Sequence, residues 1–588
     1  LQLAAESHLQ LRQYPEAEKL YQQALEKAGP KAPMLWKVRY ALVLFLAKKH
    51  QEAAAAVQPL LAQIQEKPLL AEAYHVLGAS LLELKQSAQA IQALQSALQA
   101  DPKWRRADET LLCLAHAYWS AGKPTEAKQT LEKLLQEFPQ SRLLDQAHYW
   151  LAEYLYTEKH YPAAAAQYQK LLDQWPQGEM APAARYGLGW ARLMAGQYPE
   201  AEATFNQFLQ TYAQHPLAGR ARYGRGLARQ QQGQFGPALE DLQAVLQTDL
   251  PAAERADALY AIGLCLSGLK RYPEAVDSFQ KVLQTDPNYP AKDKVLYEWA
   301  WALQSAGHQK EAADVFARLA KEHPTSPLAA EALFRQGEWA YQQGDFFAAA
   351  KAYYHAGQQA GQTSLGEKAA YKLGWAYFRM NDFAKAEQSF RYQRQLWPQG
   401  QLADDAAFME AECLFKQEKW QEALQAYKLV KKPSNQEFLA LALLHSAQAA
   451  AQLKQWDQAL QWAKQCAAEH PNSPYLAQAL YEQGWALHNM GRLQEALKIY
   501  ETVVAQAGNQ EIAARAQFMI GQIHFDQKNH KEAIRSFYRV IAGYAYPKWQ
   551  ADAMFEAARC FELLGMKDKA IGQYKELLEK HPQSDKVP

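Results

Sequence analysis

An alanine recurs along this chain at a nearly fixed interval. It stands at Ala17, Ala53, Ala90, Ala127, Ala164, Ala201, Ala238, Ala275, Ala312, Ala349, Ala386, Ala423, Ala459, Ala496, Ala533 and Ala570. The spacing is 37 residues, with two steps of 36, from Ala17 to Ala53 and from Ala423 to Ala459. Around the alanine a phrase returns: YPEAEKLY, YPEAEATF, YPEAVDSF, QKEAADVF, WQEALQAY, LQEALKIY, HKEAIRSF. Sixteen copies account for essentially all 588 residues and leave no room for a separate globular domain. A unit this short cannot bury an apolar face alone, so its neighbours must stack on it.

Twelve residues before each signpost alanine stands only Gly or Ala, from Ala5 and Ala41 through Gly263 and Gly374 to Gly521 and Ala558. One small residue on each of two helices lets them approach closely, and a larger one overpacks the contact. The first helix shows apolar residues at helical spacing, as in Ala258, Leu259, Ala261, Ile262 and Leu266. A turn follows, holding Gly at 122, 196, 233, 307, 344, 491 and 565. The second helix opens with Pro15, Pro162, Pro199 or Pro273, where a missing N–H costs nothing. Glu16, Glu126, Glu200, Glu274, Glu311 and Glu495 meet the positive end of its dipole. Proline twelve residues after the signpost stops it at Pro102, Pro139, Pro176, Pro287, Pro324, Pro398, Pro471 and Pro582. With no strand pattern in the chain, these signals predict an all-α fold, an α-solenoid superhelix of about sixteen helix-turn-helix repeats.

This unit resembles the tetratricopeptide repeat, whose usual period is 34. The extra residues fit the link after the stop proline, where PTSPLAAEALF, PNSPYLAQALY and PQGQLADDAAF share Pro-x-Ser/Gly, an alanine and an aromatic. That long-period variant is similar to tetratricopeptide proteins of the bacterial envelope, such as outer-membrane assembly lipoproteins and the periplasmic partner of the Tol–Pal system. The resemblance implies a periplasmic or cell-envelope location, with the cytoplasm as the alternative. A single continuous array over 1–588 is expected, cut at both ends. Leu1 already falls inside a first helix, and HPQSDKVP at the C-terminus matches the link HPTSPLAA from His323.

Charge and composition narrow the partners. Lys and Arg number 63 against 62 Asp and Glu, so the basic surplus that nucleic-acid binding needs is absent. The longest apolar run, Tyr40 to Ala47, is too short to cross a bilayer. Cys113, Cys265, Cys413, Cys466 and Cys560 lie far apart and form neither a disulfide framework nor a zinc site. No HExxH, GxSxG, phosphate-binding glycine loop or helix-opening GxGxxG is present, so no catalytic, metal or cofactor residues are assigned. His323, His470 and His581 recur before stop prolines, where the helix C-terminus favours a cation. Cys265, Cys413 and Cys560 share one repeat position and read as small core hydrophobes.

The remaining signal is aromatic. Fifteen residues before the signpost stand Tyr149, Tyr186, Tyr223, Tyr260, Tyr297, Phe334, Tyr371, Phe408, Tyr481, Phe518 and Phe555. One helical turn on, on the same face, come Trp190, Trp301, Trp375 and Trp485. A further turn brings Tyr156, Tyr341, Phe378, Phe415 and Phe525. In the tetratricopeptide family the first helix lines a concave groove, so the last nine are candidate partner anchors. The alternative is inter-repeat core. Some family members clamp a C-terminal carboxylate with Lys and Asn, but the matching positions here hold residues such as Tyr371 and Trp375. The expectation is a non-enzymatic scaffold for partner proteins or peptides, as a homo-oligomer or a membrane-complex subunit. Two alternatives stand beside it. One is a glycan binder, with Glu153, Glu338 and Glu412 beside the ladder, and the other is the targeting arm of an enzyme whose catalytic domain lies outside the chain.

Overall fold

The computed structural model describes residues 1–586; Val587 and Pro588, the end of the expected C-terminal link, lie outside the described residues. Thirty-two α-helices occur among the described residues, from Gln2–Gln10 to Lys567–Lys580, with two short 3-10 segments and no strand. They form sixteen helix-turn-helix repeats, and the fold is an all-α solenoid of tetratricopeptide type. The chain divides into two compact units, Leu1–Pro290 and Ala291–Pro588. Each unit holds eight repeats, numbered 1–8 and 9–16 below.

The turn inside each hairpin is more uniform than its glycines suggest. Five residues before every signpost alanine the backbone has positive φ, from 56° at Lys454 to 89° at Gly307. Glycine fills that place in the seven repeats where the sequence shows it. Arg12, Lys48, Lys85, Lys159, Lys270, Asn381, Glu418, Lys454 and Lys528 take the same conformation in the other nine. Each closes a Schellman motif. In repeat 4 the Gly122 N–H donates to Trp119 C=O at 3.0 Å and the Lys123 N–H to Tyr118 C=O at 2.9 Å. A side chain at a left-handed position costs about 1–2 kcal/mol, and the docking of the two helices offsets it.

That docking is a ring set over a small residue. Every signpost alanine is at most 2% exposed. Four places later, at the last letter of the recurring phrase, most repeats set a large ring into the core; Val57, Leu94, Leu131, Leu242 and Ala463 stand there in others. Tyr21, Tyr168, Phe205, Phe279, Phe316, Tyr353, Phe390, Tyr500 and Phe537 all occupy this position and are fully buried. Each lies against the Gly or Ala of its own first helix. A Cβ added to Gly263 would sit 2.5 Å from a Phe279 ring carbon, which no real structure allows. Burying such a ring contributes about 1.5–3 kcal/mol, so the pairing of small residue and ring is the main apolar contact within a hairpin. The three same-column cysteines are core, as expected; burial pushes the Cys265 and Cys560 thiols up to about 12.

The long link has its own chemistry. Each helix that meets a stop proline ends two residues before it, since the residue preceding proline is driven out of helical geometry. In repeats 4 and 9 the following serine ties the link to the preceding first helix. Ser141 donates to Asp108 and Ser326 to Asp293, both at 2.6 Å, and each serine Oγ accepts the N–H two residues on. The Pro-x-Ser pattern is therefore an inter-repeat strap.

Candidate partner-binding surface

The first helices carry the aromatic columns, and their spacing by turns places the columns on one face. All nine candidates are half-buried: Trp190, Trp301, Trp375, Trp485, Tyr156, Tyr341, Phe378, Phe415 and Phe525. Their surroundings separate them into two sets.

The tryptophans stand directly after the small residue, and three of them meet the buried ring edge-on. Trp190 lies 5.9 Å from Phe205, Trp301 6.2 Å from Phe316 and Trp375 6.4 Å from Phe390, with interplanar angles of 79–90°. The outer face of Trp301 carries the Arg335 guanidinium, from the next repeat, at 4.6 Å, and Glu331 orients that guanidinium at 2.7 Å. Trp190 has no such cover. Tyr223 of the next repeat stands tilted at 6.3 Å, and a cavity of about 220 Å³ opens beside it.

The five residues of the next turn pack across the hairpin turn onto an aromatic at the start of the second helix. The pairs are Tyr156–Tyr161, Tyr341–Phe346, Phe378–Phe383, Phe415–Trp420 and Phe525–His530, at 5.0–5.6 Å. Several are also capped from the following repeat: Phe415 stacks on His445 at 4.8 Å, and Phe525 lies 5.0 Å from the Arg559 guanidinium. The capped rings are engaged on two sides by the protein itself.

Where a repeat lacks the tryptophan, glutamate often stands in its place, and the buried ring is then tyrosine. Tyr21 donates to Glu6 and Tyr353 to Glu338, both at 2.5 Å; Tyr168 donates to Glu153 and Tyr427 to Glu412. Burial first, then the facing carboxylate, holds each phenol far above its ordinary pKa, so it stays protonated and donates. Glu338 also takes Lys372 at 3.1 Å and Glu412 takes His445 at 2.6 Å. Glu153, Glu338 and Glu412, the acids a sugar would need, are thus consumed inside the hairpins. Repeat 14 breaks the rule: Trp485 stands opposite Tyr500, whose buried hydroxyl has no hydrogen-bond partner. The buried ring column did not enter the sequence-based site, although the aromatic ending of the repeated phrase was in plain view; three of its glutamates entered only as acids beside a glycan.

Among the described residues no group of three or more His, Cys, Asp and Glu side chains is gathered as a metal ion requires, and no helix is long and apolar enough to cross a membrane.

Hairpins of this geometry, stacked at a 37-residue period, define a helical-repeat protein of the protein-binding kind. The tetratricopeptide repeat family matches residues 3–68, 113–179, 223–290, 297–364, 371–437 and 477–548, and further tetratricopeptide repeat families match 71–103, 441–473 and 552–584. The chain belongs to the tetratricopeptide repeat family. Residues 151–249 also match a family described as an outer membrane lipoprotein. No curated protein is matched by the sequence. Similar solved structures include Naa15/Naa10 bound to HypK-THB, at 15% identity over 94% of this chain and 95% of that one, TM-score 0.33. Another is a tetratricopeptide repeat protein from Parabacteroides merdae, at 16% identity over 46% of this chain and 99% of that one, TM-score 0.33. A third is the C-terminal part of a repeat protein from Cytophaga hutchinsonii, at 16% identity over 50% of this chain and 99% of that one, TM-score 0.33.

Proposed function

We propose that the chain is a non-enzymatic scaffold. It holds partner proteins or peptides along the groove lined by the first helices of successive repeats, in a multiprotein assembly of the bacterial cell envelope. The observation that carries the groove is a contrast in burial. The second-helix rings are fully buried, whereas the tryptophans beside them stay half-open at matching positions of repeats 6, 9, 11 and 14. Large rigid rings left partly open are the usual anchors of protein interfaces. The match of residues 151–249 to an outer membrane lipoprotein family supports the envelope setting. A glycan-binding role has less support, because the three carboxylates it would use are hydrogen-bonded within their hairpins.

Site-specific photocrosslinking tests this. A crosslinker at Trp301 or Trp375 should capture envelope proteins, and one at Phe347, a 72%-exposed second-helix residue, should not. Capture only from Phe347 overturns the groove, and recovery of the natural gene product in the cytosol overturns the envelope setting.

A further inference from the structure

The cavity beside Trp190 differs from the equivalent place in the other unit in a way that names its occupant. Its lining combines the rings of Tyr186, Trp190 and Tyr223 with the charged groups of Arg220, Glu254 and Asp257, and includes Gly219 and two aliphatic side chains. Repeats 6–7 and repeats 9–10 present the same sequence frame there: Trp190 matches Trp301, and Tyr223 matches Phe334. Two residues before the small residue of the next repeat, however, unit two has Arg335 and unit one has Gly224. Arg335 lays its guanidinium 4.6 Å from the Trp301 ring and pairs with Glu331. Gly224 has no side chain to send over Trp190 and is packed against the Phe205 ring, which an added Cβ would meet at 2.5 Å; the cavity of about 220 Å³ opens beside Trp190 on other residues. The charges around it complement a cation. Glu254 and Asp257 against Arg220 leave one net negative charge. Arg220 and Glu254 pair at 2.7 Å, and Asp257 accepts from Tyr289 at 2.7 Å through one oxygen.

We propose that this cavity receives an arginine side chain of a bound partner segment, its guanidinium stacked on Trp190 and paired with Asp257 and Glu254. The proposal rests on the scaffold reading and specifies its chemistry at one place. The partner segment supplies in trans what Arg335 supplies in cis. A guanidinium over tryptophan gains from the ring quadrupole, most of all when shielded from water, and its flat fork suits a carboxylate as an ammonium does not.

The test uses the full chain labelled with fluorotryptophan, with the Trp190 fluorine signal assigned through Trp190→Phe. The probe is the tripeptide acetyl-Gly-Arg-Gly-amide, set against its neutral citrulline isostere and against chitobiose. The arginine probe should shift the Trp190 signal saturably, and citrulline should bind at least about tenfold more weakly. The double variant Glu254→Gln/Asp257→Asn should lose about tenfold or more. Gly219→Leu should abolish the shift by filling the cavity mouth; an added Cβ there meets nothing within 4 Å, so the fold tolerates it. The proposal is overturned by no saturable shift at the solubility limit, by equal binding of citrulline, or by chitobiose binding unaffected by the carboxylate variants. A partner that crosslinks at Trp301 and still binds the Gly219→Leu protein with unchanged affinity sinks this inference alone. Absence of capture at Trp301 and Trp375 sinks the scaffold reading whatever the tripeptide does.

Discussion

Repeat 5 and repeat 9 solve the same packing problem with opposite chemistry. In repeat 5 the second helix inserts Tyr168 over Ala152, and Glu153 on the first helix accepts its hydroxyl. In repeat 9 the second helix buries Phe316, and Trp301, directly after the buried Ala300, takes the place of the glutamate and meets the ring edge-on at 90°. The polar solution satisfies both partners inside the hairpin and spends the carboxylate. The apolar solution needs no hydrogen bond and leaves an indole face toward the next repeat, which in repeat 9 lays Arg335 over it. Glutamate goes with tyrosine in repeats 1, 5, 10 and 12, and tryptophan with phenylalanine in repeats 6, 9 and 11. The choice at one first-helix position therefore decides whether a repeat closes within its own hairpin or leaves an indole whose coverage depends on the next repeat. Repeat 14 mixes the two, and Tyr500 is left without a partner.

The largest expected effect removes the shared element. Phe316→Ala opens a cavity at the centre of repeat 9 and should cost about 3–5 kcal/mol. It is read as faster amide hydrogen exchange across Gln309–Glu322 and a lower denaturation midpoint. A loss below about 1 kcal/mol would show that the ring column is not what holds the hairpins. Gly263→Leu attacks the same contact from the other helix. Its Cβ would approach the Phe279 ring to 2.5 Å, and overpacking should cost about 1–3 kcal/mol by chemical denaturation.

Tyr168→Phe distinguishes the two solutions. It strips Glu153 of its donor in a half-buried place, and a loss of about 1–2 kcal/mol is expected. An unchanged midpoint would mean that solvent replaces the hydroxyl and that the polar repeat is not closed. The smallest effect belongs to the hybrid. Tyr500→Phe discards a buried hydroxyl that has no partner and should leave stability within about 0.5 kcal/mol of the parent or raise it. A loss as large as that of Tyr168→Phe would show that Tyr500 has a partner after all.

The fold was almost wholly legible. The signpost alanine, the small residue twelve places earlier and the stop proline each state a local requirement: close helix approach, a first turn, a chain break. The requirements recur in phase, so they identify the repeat and its helices without any long-range information. The turn was half legible. Glycine marks seven left-handed positions, but nothing in Lys270 or Glu418 announces positive φ, because there the hairpin imposes it against the side chain's own preference. The site was least legible. The columns Trp190, Trp301, Trp375 and Trp485, and Tyr156 with its equivalents, could be placed on one helical face, but exposure depends on what the next repeat sends over them. Trp301 is covered by Arg335, 34 residues downstream, whereas the matching place after Trp190 holds Gly224 and a cavity lies beside the ring. Sequence alone determined the period, the helices and the small-residue seam, because these obey spacing rules within one hairpin. Only the tertiary structure decided which aromatics are closed and which are open. Coverage is a property of two hairpins packed together, and neither one encodes it by itself.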